Sequence, residues 1–164
     1  MYFSEQEGNN YNMKTERRCI MIEQDTIKLL RECDAGVKMG ISSICDVVDY
    51  VRNKNLKEKL KKCKREHDKL DSEIQTLLDK YKDDGKEPAT IAKGMSWMKT
   101  NIKLAMDESD ETIADLITDG CNMGVKSLNK YLNKYEAADE VSKDITKRLI
   151  KSEEELCVDI RKYL

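Results

Sequence analysis

The sequence has few of the residues that break helices or fill aromatic cores. It contains one proline, one tryptophan and one phenylalanine in 164 residues, and aromatic residues make up only 5%. Proline is the strongest helix breaker, so its scarcity permits long helices. No apolar run approaches the roughly 20 residues that cross a membrane, and residues 1–18 lack the apolar stretch of a signal peptide. We therefore expect a cytoplasmic, helical protein that does not bind a membrane.

The sequence also lacks an excess of charge of one sign. Its 30 basic and 32 acidic residues are interleaved along the chain and leave a net charge of −2. Such a chain has no positive field that would attract nucleic acid. We therefore expect no nucleic-acid partner.

Closely paired cysteines, the usual sign of a zinc site, are missing as well. The chain has six cysteines but no C-x-x-C pair. Because it shows no secretion signal and is long enough to build an apolar core, we expect reduced thiols and no disulfides.

Apolar residues recur at spacings of three and four in four long segments, which is the pattern of helices with one buried face. Short polar links at 53–55 and 137–139 join these segments in pairs. Ser109 precedes two acidic residues as a helix N-cap, and Asp84-Gly85 ends the second segment. The pattern predicts an all-α antiparallel bundle of four helices.

The same pattern predicts the domain organisation. Residues 1–18 show no sustained period and are predicted to form a flexible N-terminal arm. Residues 19–164 are predicted to form a single helical domain. Within it we expect a hairpin at 25–84, a shorter connector helix at 89–106 that carries Trp97, and a second hairpin at 109–164.

An internal repeat relates the two predicted hairpins. At an offset of 84, Gly36, Met39, Gly40 and Ser43 recur as Gly120, Met123, Gly124 and Ser127. At an offset of 86, the second helices of the two hairpins align, and His67 corresponds to Glu153. Self-similarity of this kind predicts two equivalent hairpins related by an approximate two-fold axis.

The repeated glycines need an explanation, because a glycine inside a helix costs about 1 kcal/mol relative to alanine. One interpretation is a face of small residues that lets two helices approach closely or makes room for Met39, Met123 or Trp97. The other is a pocket at mid-bundle, lined by Gly36, Gly40, Gly120 and Gly124.

His67 and Glu153 are the polar residues of two otherwise apolar stripes. Folding each hairpin about its turn brings Gly40 level with His67, and Cys121 or Gly124 level with Glu153. A buried carboxylate needs a hydrogen-bonding partner, which an imidazole can provide. The two side chains form either a structural polar contact or a functional pair, and their separation distinguishes these interpretations.

The chain resembles the ferritin-like four-helix bundles, and more narrowly a family of small helical proteins of unknown function from anaerobic Gram-positive bacteria. The resemblance covers about residues 29–164. It rests on the charged C-terminal helix and on AGVKMG (35–40), PATIAKGMSWMK (88–99) and DGCNMGVKSL (119–128). It implies a ferritin-like bundle and no known activity.

Ferritin-like proteins that hold two metal ions take a glutamate from each of two helices and Glu-x-x-His from each of the others. With one histidine, this chain cannot supply two such motifs. We therefore predict neither a di-metal site nor a cofactor. The remaining metal-ligand candidates are His67, Glu153 and Glu66.

The sequence contains no P-loop, no G-x-G-x-x-G motif and no G-x-S-x-G motif, so it predicts no catalytic residue. The leading hypothesis is a non-catalytic bundle that acts as a binding or scaffolding module for a protein partner, or as a homodimer. The alternatives are a divergent metal-binding or redox protein that uses His67, Glu153 and Glu66 or Cys63, and a hydrophobic ligand site between the glycine faces.

Overall fold

The computed structural model describes residues 4–88 and 109–164, with side chains from residue 15 onward and at Met13. Within these ranges the regular structure is helical and contains no strand, which confirms the all-α prediction. The predicted connector helix and Trp97 lie outside the described residues. The four helices are α1 (Ser4–Val47), α2 (Lys54–Lys80), α3 (Asp110–Lys134) and α4 (Glu140–Ile160), and a short 3₁₀ helix (Arg161–Tyr163) follows.

Helix α1 begins earlier than the sequence pattern indicates. We predicted a flexible arm at 1–18 and a helix from about Asp25, and α1 is helical from Ser4. Met13 and residues 15–21 are exposed, so these residues add no buried face to the helix. Apolar periodicity detects burial and therefore gives no sign of an exposed helix.

Side-chain caps define where the other three helices begin. Asn53 caps α2 by accepting hydrogen bonds from the N–H groups of Asn55 and Leu56. Ser109 caps α3, as the sequence predicts, by accepting from the N–H of Thr112. Asp139 caps α4 in the same way. These caps satisfy helix N–H groups that have no partner inside the helix.

The segment after α2 folds back onto α1. Its anchor is Asp34, a fully buried carboxylate that accepts hydrogen bonds from the N–H of Lys86 (2.7 Å) and from Gln75 Nε2 (2.6 Å). Gly85 lies beside it with φ of +75°, and a Cβ there would overlap the Asp34 carboxylate. Only glycine meets both requirements at this position.

The core consists of two apolar clusters, and residues of all four helices contribute to each. One contains Val37, Leu70, Leu128 and Leu149, and the other contains Ile44, Cys63, Ile117 and Leu156. His67 and Glu153 are buried between these two clusters. The candidate site therefore lies in a polar layer at the middle of the bundle.

Candidate functional site

A cavity of about 480 Å³ lies at this polar layer. Its lining includes all four glycines that the sequence singles out, two on α1 and two on α3. Most of the other lining side chains are apolar, among them Ile44, Ile117, Leu128 and Leu156. His67 from α2 and Glu153 from α4 also line it, so every helix contributes to the cavity.

The side chains of His67 and Glu153 face each other inside the bundle. Their Nε2 and Oε1 atoms are 3.9 Å apart, and the side chains are only 2% and 8% exposed. The His67 Nδ1 atom lies 3.1 Å from the carbonyl oxygen of Cys63. Because a carbonyl can only accept, Nδ1 carries a proton and Nε2 is the nitrogen directed at Glu153.

Burial and mutual contact shift the protonation of both groups. Burial lowers the pKa of His67, but the contacts with Cys63 and Glu153 outweigh it and raise the pKa to about 10. Burial raises the pKa of Glu153 above its ordinary value, and the contact with His67 opposes part of this rise. Both groups therefore hold a proton more tightly than they would in water.

Two of the glycines make room for this pair. A Cβ on Gly40 would lie 2.8 Å from Cδ2 of His67, and a Cβ on Gly124 would overlap the Glu153 carboxylate. Met39 and Met123 do not take this space, since they line the cavity and are 37% and 48% exposed.

Gly36 differs from these two positions. A Cβ there would meet Leu149 at 3.9 Å and Leu128 at 4.0 Å, which are ordinary contact distances. At Gly40 and Gly124 the space left by the missing side chain therefore accommodates a polar group, not the methionines of the small-residue interpretation. Gly36 has no such steric requirement.

One oxygen of Glu153 lacks a partner. Its Oε2 atom is buried and has no hydrogen-bonding partner within the part of the chain that the structure describes. A buried acceptor without a partner costs about 1–3 kcal/mol, so it is rare unless a bound molecule satisfies it. This atom is the feature of the cavity that most directly points to a ligand.

A second pair of charges lines the cavity. Lys86, in the segment after α2, donates to Glu32 of α1 with Nζ and Oε2 2.6 Å apart. Neither residue was predicted as a site residue from the sequence. Glu32 could have been found by extending the Gly36–Gly40 face one turn back along α1. Lys86 could not, because no helical period links a loop residue to the cavity.

The metal-ligand candidates do not all converge. Glu66 is not among the cavity residues; its side chain is 37% exposed and accepts a hydrogen bond from Ser152. Residues 4–88 and 109–164 contain no group of three or more His, Cys, Asp or Glu side chains placed to hold a metal ion.

The contact of Cys63 with His67 does not form a nucleophile–base pair. Cys63 Sγ lies 3.5 Å from Nδ1, and that nitrogen already donates to the Cys63 carbonyl. A general base needs a free lone pair facing the thiol, which Nδ1 does not have while it carries this proton. The geometry therefore gives the thiol no activating base.

Among the described residues, no helix combines the length and apolar character needed to cross a membrane.

Comparison with known proteins adds no relative, because no protein family, curated protein or solved structure matches the chain.

Proposed function

We propose that the protein is a non-catalytic binding bundle whose central cavity holds a small, largely apolar molecule. The observation that carries this proposal is the cavity itself, which is lined by residues of both core clusters and by Glu153, whose buried Oε2 atom has no partner among the described residues. Its volume of about 480 Å³ lies within the range of small-molecule sites, which are typically apolar pockets with a few placed polar groups.

We further propose that the bundle is ferritin-like and built from two quasi-repeated antiparallel hairpins. Two pairs of contacts support this and follow the offsets of 84 and 86 found in the sequence. Gly40 lies against His67 as Gly124 lies against Glu153. The N–H of Asn53 donates to Asp110, and at the corresponding positions the N–H of Asp139 donates to Thr26.

A cytoplasmic location fits the state of the cysteines. All six are free thiols, two of them buried and two exposed. Exposed free thiols are typical of a reducing compartment. We therefore propose that the protein is located in the cytoplasm.

The ligand-site proposal can be tested with naphthalene as an apolar probe. Titration followed by amide chemical shifts should show saturable binding of one molecule per chain. Ser43→Phe adds a bulky side chain at a cavity-lining position of α1 and should weaken binding at least about tenfold. Ser42→Phe is the matched control, because Ser42 is similarly half-buried on the same helix but does not line the cavity.

Both variants need unchanged helix content and a cooperative unfolding transition for the comparison to be valid. Equal binding by the wild-type protein, Ser43→Phe and Ser42→Phe would show that the probe binds elsewhere. No saturable binding to the wild-type protein would reject the proposed function.

A further inference from the structure

The charges of the described cavity lining are balanced. Its charged side chains form two pairs, Glu32 with Lys86 and His67 with Glu153. Lys86 and Glu32 neutralise each other at 2.6 Å. The second pair lies deeper, and both of its members are more than nine-tenths buried.

In the deeper pair, Nε2 of His67 and Oε1 of Glu153 lie 3.9 Å apart, which is ion-pair distance but too long for a hydrogen bond. The contacts with Cys63 and Glu153 raise the pKa of His67 and keep the imidazole protonated. The pair is therefore an imidazolium beside a carboxylate, with a net charge of zero. A charged ligand would introduce an uncompensated charge into a mainly apolar cavity, which is unfavourable.

The other oxygen of Glu153 can only accept a hydrogen bond. Beside the imidazolium, Glu153 is a carboxylate, so its Oε2 atom carries no proton. It is buried, and the described residues offer it no donor. A molecule in the cavity satisfies this atom only if it brings an O–H or N–H group.

The residues that line the cavity indicate the shape of the ligand apart from its hydrogen-bond donor. Gly36 on α1 and Gly120 on α3 line the cavity with backbone alone, whereas His67 and Glu153 occupy the space beside Gly40 and Gly124. Met39 and Met123 lie on the same two helices, and their flexible thioethers adapt to and favour aromatic surfaces. Bare backbone and mobile methionines together suit a flat ring system.

On the basis of the proposed function, we infer that the ligand is an uncharged, mainly aromatic molecule that donates one hydrogen bond to Oε2 of Glu153. Phenols, aromatic alcohols and indoles belong to this chemical class. Oε2 would select for the donor, and the balanced charges would select against ammonium and carboxylate groups.

The test uses four probes that share one ring system and differ in the head group. They are naphthalene, 2-naphthol, 2-naphthoate and (2-naphthyl)methylammonium, each titrated into the full chain at pH 7, where a phenolic hydroxyl keeps its proton. We expect 2-naphthol to bind about tenfold more tightly than naphthalene, because it satisfies a buried acceptor. Both charged probes should bind more weakly than naphthalene.

Glu153→Leu removes the acceptor and should reduce the preference for 2-naphthol over naphthalene to about one. Glu154→Leu is the matched control, because Glu154 is the next residue on α4 and is exposed. This control should keep the tenfold preference. The head-group series on the wild-type protein remains decisive if Glu153→Leu does not fold.

The possible outcomes separate the two proposals. If Ser43→Phe does not weaken the binding of any probe, the proposed ligand site itself is wrong. If naphthalene binds at the cavity as tightly as 2-naphthol, the site stands and the inferred donor is wrong. Preference for either charged probe would overturn the inferred neutrality.

Discussion

At the residue scale, two buried polar side chains at the centre of the bundle, His67 and Glu153, each lie against a glycine on a neighbouring helix. His67 is 2% exposed and Glu153 is 6% exposed, so both have lost most of their contact with water. Gly40 and Gly124 leave the space that these side chains occupy. The helix propensity lost at each glycine is the cost of placing an imidazole and a carboxylate inside the bundle.

Alanine substitutions at two neighbouring glycines should have opposite effects. Gly36→Ala should raise the free energy of unfolding by about 0.5–1 kcal/mol, because its Cβ meets only ordinary contacts. Gly40→Ala should lower it by about 1–3 kcal/mol, because the new Cβ would lie 2.8 Å from the His67 ring. Urea denaturation of the two variants measures both changes.

The double variant Gly40→Ala with His67→Ala tests the cause of this loss. If the His67 ring is responsible, the two substitutions should be strongly non-additive, since removing the ring removes the clash. Additive losses would show that Gly40 is needed for another reason.

The pH dependence of stability should reveal the buried imidazole. A group whose pKa is higher in the folded state stabilises fully below its unfolded pKa, and this stabilisation is lost as the pH rises through the folded pKa. For His67 the window runs from its ordinary pKa of 6.5 to about 10. The free energy of unfolding should therefore fall over this window, by an amount on the order of a few kcal/mol.

His67→Gln provides the reference for this measurement. Other buried groups also titrate at high pH; burial raises the pKa of the Cys33 thiol, for example, to about 12. The quantity to examine is therefore the difference between the two stability profiles from pH 6 to pH 10. Parallel profiles would contradict the raised pKa of His67.

The sequence predicted the residues of the polar layer better than their contacts. Equal heights across a short turn place Gly40 beside His67, but they leave Cys121 and Gly124 as alternatives opposite Glu153, and the structure shows that Gly124 lies against Glu153. The direction of each carboxylate oxygen depends on side-chain torsions, which no spacing rule specifies. The unpartnered state of Oε2 therefore emerged only from the structure.

At the scale of the elements, carboxylates hold the links between helices against distant parts of the chain. Asp110 at the start of α3 accepts hydrogen bonds from the N–H groups of Arg52 and Asn53, which link α1 to α2. Asp34 holds the segment after α2 against α1. Helix ends were predictable from local caps such as Ser109, but these longer-range anchors were not, because they join residues about 50 positions apart.

The Asp34 anchor should be essential for stability. Asp34→Asn would keep the size of the side chain but would place an amide NH₂ opposite the Lys86 N–H or the Gln75 Nε2 donor. Two opposed donors in a buried site should lower the free energy of unfolding by about 2–3 kcal/mol. Asp68→Asn is the matched control, because Asp68 is 46% exposed and its pair with Lys64 contributes little.

Thermal or urea unfolding of the two variants provides the comparison. Equal midpoints for Asp34→Asn and Asp68→Asn would show that the segment after α2 is not held by Asp34. A lower midpoint for Asp34→Asn alone would show that Asp34 holds this segment in place. The segment also carries Lys86, which lines the cavity.

At the scale of the whole molecule, two apolar clusters enclose one polar layer. The fold class was predictable because helical periodicity reports directly on which face of each segment is buried. The start of α1 was not, because the side chains described at 13 and 15–21 are exposed and give no apolar period. Whether a segment buries a face also indicates whether the bundle needs that segment in order to fold.

Deletion of residues 2–18 should leave the bundle intact. The side chains described at 13 and 15–18 are exposed, so the free energy of unfolding should change by less than about 0.5 kcal/mol. The helical circular dichroism signal should fall in proportion to the number of helical residues removed. Deletion of residues 2–27 also removes Thr26, which accepts a hydrogen bond from the N–H of Asp139 at 2.8 Å. This longer deletion should lower stability by at least about 1 kcal/mol, because it leaves the link between α3 and α4 without that partner. Circular dichroism during urea unfolding measures both quantities, and an equal loss from the two deletions would move the boundary of the domain to before residue 19.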